Sequence, residues 1–304
     1  MQEPIPSFFQ LSEELLDALE THLPVVALES TVITHGLPYP QNLQLAQDME
    51  REVRAEGAVP ATIAVIDGLV RVGLDHAQLQ RMASESGLMK ISTRDYAQAV
   101  TQRRSGGTTV AGTLVAAQVV GVRVLATGGI GGVHRQAPFD VSADLYVLAR
   151  TPLVTVCAGA KAILDLPATL ELLETLGVPV VGYFTHEFPA FYARSSGLPL
   201  GVQVDSPAAA AKFALAHWEM GLSSAVLVVQ PTLEETAVDK DVLESVIQQA
   251  LQEAKEEGIQ GQAVTPFLLK RVSELTQGAS LQANLDLLIN NARLAAQISK
   301  ELYP

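Results

Sequence analysis

The chain has 304 residues, 48% of them hydrophobic but only 5% aromatic, which is ample material for a large core of Ala, Val and Leu. Its formal net charge of −13 argues against a nucleic-acid backbone as partner, yet leaves room for a small phosphate held by a local nest or one lysine. Cys157 is the single cysteine, so no intrachain disulfide is available and a reducing, cytoplasmic setting is expected. The N-terminal residues lack a basic-then-apolar leader, and no run reaches the ~18 apolar residues of a membrane helix.

In chain order, residues 1–20 read as an N-terminal amphipathic helix, with Ser12 capping and Glu13 and Glu14 in its first turn. PVVALEST is a short buried strand ending in polar residues. QNLQLAQDMEREVRAEG is a helix stopped by Gly57. ATIAVIDGLVRVG predicts a hairpin with Asp67-Gly68 as its turn, and HAQLQRMASESG a further helix. TVAGTLVAAQVVG is helical, RVLATGG a strand, DVSADLYVLA the start of a helix and LVTVCAG a strand. The helix of AKAILDLPATLELLETLG begins there and resumes after Pro167. VPVVGYF and SAVLVVQP are strands on either side of the helix SPAAAAKFALAHWEMG. Helices over roughly 232–258, 264–276 and 281–301 close the chain. Strands and helices interleave without a break in composition, which predicts one α/β/α domain over residues 1–304. Ligands of such sheets sit at the carboxyl ends of the strands.

Lys161 follows the strand LVTVCAG and a small-residue turn, and is expected to open the next helix. A helix's positive end and an apolar surrounding both disfavour an ammonium, and a neutral amine is what imine formation with a sugar aldehyde needs. A lysine that snorkels to solvent is the alternative. Glu29 ends a buried strand, where a carboxyl is pushed toward its protonated form and suits a general acid; a structural carboxylate on a backbone turn is the competing view. Lys90, in MKISTRD, is a strand-end cation like Lys161.

Gly106, Gly107, Thr108 and Thr109 precede an Ala/Val-rich helix near Arg103 and Arg104, a pattern that suits a phosphate at a helix N-terminus, or a plain Thr cap. The run LATGGIGGVHR lets backbone N–H groups approach an anion or forms a tight crossover, and His134 beyond it presents a polar tip. Asp140, Ser142 and Asp144 form either a helix cap led by Asp140 or a site for substrate hydroxyls and a hydrated Mg²⁺ or Mn²⁺. No zinc spacing and no GxxxxGK[ST] phosphate loop of a kinase occurs.

ALESTVITHGLPYPQN, GAVPATIAVIDG, KISTRD, GGTTVAGT, LATGGIGGVHR, DVSADL, CAGAKAILDLPATLELLETLGVPVVGY, FPAFYARSSG and VTPFLLKRVSELTQGASLQANLDLLINNARLAAQIS, in this order, resemble the pseudouridine-5′-phosphate glycosidase family, also called indigoidine synthase A-like. The resemblance spans about residues 15 to 300. It implies a single α/β/α domain with a large mixed sheet, assembled as a homotrimer. It also implies reversible cleavage of the C–C glycosidic bond of pseudouridine 5′-phosphate to uracil and ribose 5-phosphate, with a divalent metal, usually manganese. By the resemblance, Lys161 matches the Schiff-base lysine, Glu29 the proton donor and Asp140 the metal-site aspartate. Ser142, Ala143, Asp144, Lys90, Val110 and the neighbouring Thr109 match substrate positions, and His134 and Asn284 resemble residues near the uracil and the sugar. One departure stands out: Gln230-Pro231-Thr232-Leu233 replaces the family's common Asn-Pro-Ile-Pro, which bears on local loop contacts and substrate preference. An aldolase would share the lysine, and a non-catalytic ribosyl-phosphate binder would share the pocket; release of uracil separates both from a glycosidase.

Overall fold

Four short apolar segments, Val25–Leu28, Val124–Ala126, Val154–Cys157 and Val226–Val229, are buried at every residue, as parallel strands covered on both faces must be. The computed structural model describes residues 4–135, 137–259 and 261–303. Its first half runs β1 (Phe9–Leu11), α1 (Glu13–Glu20), β2 (Val25–Leu28), a π-helical turn (Val32–Gly36), α2 (Gln41–Ala55), β3 (Val59–Ile66), β4 (Leu69–Val72), α3 (His76–Ser84), β5 (Met89–Ile91), α4 (Tyr96–Thr101), β6 (Gly106–Thr108), α5 (Val110–Val120) and β7 (Val124–Ala126). The second half runs β8 (Val133–His134), β9 (Ala137–Val141), α6 (Ala143–Leu148), β10 (Val154–Cys157), β11 (Leu164–Asp165), α7 (Leu166–Thr175), β12 (Val180–Tyr183), β13 (Gln203–Val204), α8 (Pro207–Glu219), β14 (Val226–Val229), α9 (Lys240–Glu256), α10 (Val264–Leu275) and α11 (Ala279–Leu302).

These strands form one mixed eleven-stranded sheet in the order β1-β4-β3-β2-β7-β10-β14-β12-β13, with β6 attached to β3 and β5 to β6. Only the β3–β4 hairpin and the β3–β6 pair are antiparallel. The hairpin turns on Asp67 and Gly68, both at positive φ, as the Asp-Gly pair predicts. A second, three-stranded sheet, β11-β8-β9, stands beside the main one. The long helix α11 packs along β2, β7 and β10 with α2 and α8 at its flanks, while α5 and α6 cover the opposite face. The sheet is continuous from Phe9 to Val229, so the architecture is the single three-layer α/β/α domain expected.

Side-chain caps set most helix starts. Ser12 accepts from Leu15 N, Thr109 from Gly112 N, Asp165 from Ala168 N and Ser206 from Ala209 N. The same caps correct several expectations. The N-terminal helix begins only after Ser12, because Phe9–Leu11 pairs in parallel with β4 and extends the sheet edge. The first of the closing helices starts at Lys240, not near 232, because Asp239 accepts from Asp241 N and Val242 N and fixes the first turn there. Asp140 caps nothing: it lies in β9, and Ser142 caps α6. Lys161 opens no helix; it lies just before a turn at residues 162–163, and α7 waits until Leu166 behind its Asp165 cap.

Candidate active site

The carboxyl ends of three neighbouring strands supply the centre of the site. Glu29 is the first residue past β2, Thr127 the first past β7, and the loop after β10 carries Lys161. Beyond the strands the two loops stay paired, with Ile130 bridging Ala160 in parallel and Lys161 N donating to Ile130 O at 3.1 Å. That pairing holds Lys161 at the sheet end beside Glu29 without any helix. The helix-dipole argument for this lysine therefore falls away; its neighbours here are a carboxyl and a second amine.

Glu29 is buried, with 8% of its surface exposed, and Thr127 Oγ1 donates to its Oε1 at 2.7 Å. Burial pushes its carboxyl above the usual range; Lys161 and the Thr127 hydrogen bond pull it back, Asp144 pushes it up again, and Lys90 pulls it down most weakly. Lys90, in β5, has its amine shifted down by burial first and by Lys161 second, against the pull of Asp144 and Glu29. An acid poised to hold its proton thus sits among two amines and one further carboxylate. Cys157, at the end of β10, is fully buried and its thiol is pushed up to about 12, so it offers no thiolate to this chemistry.

Glu29, Lys90 and Lys161 line a cavity of about 620 Å³ that also takes in Thr109, Val110, His134, Asp140, Ser142, Ala143, Asp144 and Asn284, so these candidates border one space. His134, in β8, is half-buried, and burial lowers its pKa while Asp140 raises it and the two lysines lower it. Asn284 comes from α11. Arg103 and Arg104 do not border the cavity; Arg94 does.

At the α5 N-terminus two first-turn donors are already used: Ala111 N donates to Asp144 Oδ1 at 2.8 Å and Gly112 N to Thr109 Oγ1 at 3.2 Å, while Val110, the first residue of the helix, borders the cavity. Asp144 Oδ2 accepts from Gly131 N at 2.8 Å, so one buried carboxylate ties the helix end to the glycine-rich crossover. Gly107 lies in β6, where a Cβ would overlap Thr34 of the π-helical turn and the Ser30 carbonyl ahead of it. Gly131 packs against Ser142 and Gly132 against Thr169 in the same way. These glycines permit close backbone approach, and none of the three adopts positive φ.

Sequence reasoning missed the roof. Thr265, Pro266, Leu269, Lys270, Ser273 and Glu274 of α10 face the cavity at helical spacing, and the π-helical turn adds His35. Burial lowers the His35 pKa, as does Lys90, against a backbone hydrogen bond that raises it, and Thr34 Oγ1 lies 2.6 Å from its Nδ1. His35 stood inside the conspicuous ALESTVITHG stretch; the α10 face had only its i, i+4 pattern to mark it.

For a metal, Asp140 offers one carboxylate at the cavity wall, which Glu29, Asp95, Asp144 and Glu274 also border. Among the described residues no three His, Cys, Asp or Glu side chains converge. One carboxylate together with water and substrate oxygens fits a hydrated hard cation, which keeps much of its own shell.

A lysine amine and a buried carboxyl, enclosed at the carboxyl ends of a doubly covered sheet, define an α/β enzyme site for a small polar substrate. The chain belongs to the indigoidine synthase A-like protein family, which matches residues 14–301. It is 53% identical over 299 residues to a pseudouridine-5′-phosphate glycosidase of Paracoccus denitrificans, covering 97% of this chain and 98% of that one. It is 50% identical over 297 residues to the enzyme of the same name from Caldanaerobacter subterraneus subsp. tengcongensis, covering 97% of each. Among solved structures it resembles the prealnumycin C-glycosynthase AlnA in complex with ribulose 5-phosphate, with a TM-score of 0.90 and 40% identity over 98% of this chain and 97% of that one. It also resembles an indigoidine synthase A-like protein from Thermotoga maritima, with a TM-score of 0.90 and 34% identity over 97% of both chains.

Proposed function

We propose that the chain cleaves the C–C glycosidic bond of pseudouridine 5′-phosphate, reversibly, to uracil and ribose 5-phosphate through an imine on Lys161. The observation that carries this is the pairing of Lys161 with a buried Glu29 whose carboxyl is held toward its protonated form. The names of relatives about half identical to this chain, and the sugar-phosphate complex of a structural neighbour, support the substrate.

A C-glycoside offers no leaving oxygen between sugar and base, so a pair of carboxylates acting as in ordinary glycosidases has nothing to protonate there. The ring oxygen is the atom that can take a proton. Glu29 donates to it, the bond from C1′ to that oxygen breaks, and the Lys161 amine bonds to C1′. The ammonium formed at C1′ gives up a proton that uracil C5 takes, and uracil leaves as the electrons of the amine form the C1′–N double bond. Water then adds to the protonated imine, releasing ribose 5-phosphate and the free amine and returning a proton to Glu29. Lys161 is preferred to Lys90 because it is the stronger of the two cations acting on Glu29. A second reading puts the imine on Lys90, whose amine burial makes easier to deprotonate.

With two first-turn donors of α5 occupied, the phosphate falls to Lys90, the hydroxyls of Thr109 and Ser142 and the remaining donor of that turn, Val110 N. Val110, Ala143 and Asp144 shape the sugar pocket, while His134 and Asn284 face the base. Asp140 would hold a hydrated manganese or magnesium ion, which supplies positive charge to substrate oxygens. The same reading includes a homotrimer, working in the cytoplasm in breakdown of the modified nucleotide.

Incubation with pseudouridine 5′-phosphate and Mn²⁺ is expected to release free uracil; an unchanged substrate would refute the reading. Borohydride with ribose 5-phosphate is expected to leave a mass adduct on Lys161, and an adduct on Lys90 instead would select the second reading. Light scattering is expected to give three times the chain mass of 32.3 kDa.

A further inference from the structure

We infer that Thr127 is the positioning residue of Glu29: its hydroxyl fixes which carboxyl oxygen carries the acid proton. The inference rests on the acid role proposed above. Thr127 Oγ1 donates to Glu29 Oε1 at 2.7 Å. In the neutral acid, the oxygen that accepts a hydroxyl hydrogen is the carbonyl one, so the proton resides on Oε2. After the proton has left, the same hydrogen bond favours the carboxylate.

The hydroxyl can do this because its backbone cannot move. Thr127 N donates to Val156 O of β10 at 3.0 Å, and Thr127 O accepts from Asn291 Nδ2 of α11 at 2.8 Å. Asn291 Oδ1 in turn accepts from Gln230 Nε2 at 2.8 Å, and Gln230 N donates to Cys157 O at 3.0 Å. Thr127, Asn291 and Gln230 are all buried. A closed frame of hydrogen bonds therefore joins the ends of β7, β10 and β14 to α11, and its one side-chain output is the Thr127 hydroxyl on Glu29. Gln230, the first residue of the Gln-Pro-Thr-Leu departure, takes part in this frame and does not border the cavity. The charged groups acting on Glu29 are Lys161 from the loop after β10, Lys90 from β5 and Asp144 from α6.

Buried polar groups are paired in any fold, so the test must read more than stability. Thr127→Val keeps the side-chain shape and loses the donor; Thr127→Ser keeps the hydroxyl. In Thr127→Val, kcat is expected to fall by about 10- to 100-fold with KM within about twofold, and Thr127→Ser is expected to recover most of it. In the ligand-free protein, an infrared band of a protonated carboxyl, identified with Glu29 by its loss in Glu29→Gln, should persist to higher pH in Thr127→Val than in the wild type. The sign follows from removing a donor that favours the ionised form. An unmoved band, or a Thr127→Ser enzyme as impaired as Thr127→Val, would overturn the inference. If Thr127→Val does not fold, Thr127→Ala is measured in the same way. If the wild type releases no uracil while the band still moves in Thr127→Val, the positioning stands and only the functional reading falls.

Discussion

The floor of the cavity and its roof are held by different forces. The floor consists of strand ends whose neighbours are wholly buried, and Glu29, Thr127 and Asp144 are fixed there by hydrogen bonds shielded from water. The roof, α10, sinks Leu268 and Val272 into the core and is tied to α9 by Arg271, which pairs with Glu253 and, within α10, with Glu274 at 2.9 Å. Those ion pairs lie at the surface, where water and salt weaken them. Gln277 and Gly278, both at positive φ, turn the chain from α10 into α11. Atoms that must meet reacting bonds stand on the rigid side, and the groups that only enclose the substrate stand on the softer side.

Substitutions should divide along that line. Glu29→Gln is expected to have the largest effect, a kcat loss of about 10²- to 10⁴-fold, because it removes the acid while keeping the shape. The same variant carries a stability signature. The folded carboxyl holds its proton above the ordinary value of 4.5, so the folded state binds protons more tightly than the unfolded one. Wild-type stability should therefore fall as pH rises from near that value through the raised folded pKa, and Glu29→Gln should lack this slope. Melting curves across that pH window check the sign.

Gly131→Ala tests the floor from another side. Its Cβ would overlap Ser142 Oγ and come within 2.9 Å of Asp144 Oδ2, so the crossover must shift. A loss of about 1–3 kcal/mol in denaturant unfolding and a clear drop in kcat are expected. On the roof, Leu269→Ala removes apolar contact alone: KM should rise by roughly 3- to 10-fold with kcat almost unchanged. A kcat loss in Leu269→Ala comparable to that of Glu29→Gln would break the division between floor and roof. The smallest effect belongs to Ser12→Ala, far from both, which should cost about 1 kcal/mol of stability through the lost cap and leave kinetics untouched.

Local signals made the floor's framework legible. The apolar runs of β2, β10 and β14 read directly as buried strands, the Asp-Gly pair as a hairpin, and Glu29 as a carboxyl stranded at a strand end. What stayed hidden was set by distant partners. FQL becomes a strand only because β4 leaves an edge beside it. Lys161 reaches Glu29 through the pairing of Ile130 with Ala160, thirty residues apart, and the small residues before it gave no sign that the helix would wait for Asp165. The α5 N-terminus looked wholly open to an anion because the carboxylate that takes one of its donors lies 33 residues further along the chain. For the roof, the pattern of α10 announced an amphipathic helix but not which element it would face.

The sole thiol of the chain lies in the sheet, inaccessible and un-ionised at neutral pH. Maleimides and iodoacetamides thus meet no competent target in the folded protein. The wild type already serves as a cysteine-free background for labelling. A cysteine introduced on the outer surface of α10 would carry a single dye, whose fluorescence would report on the surroundings of that helix alone.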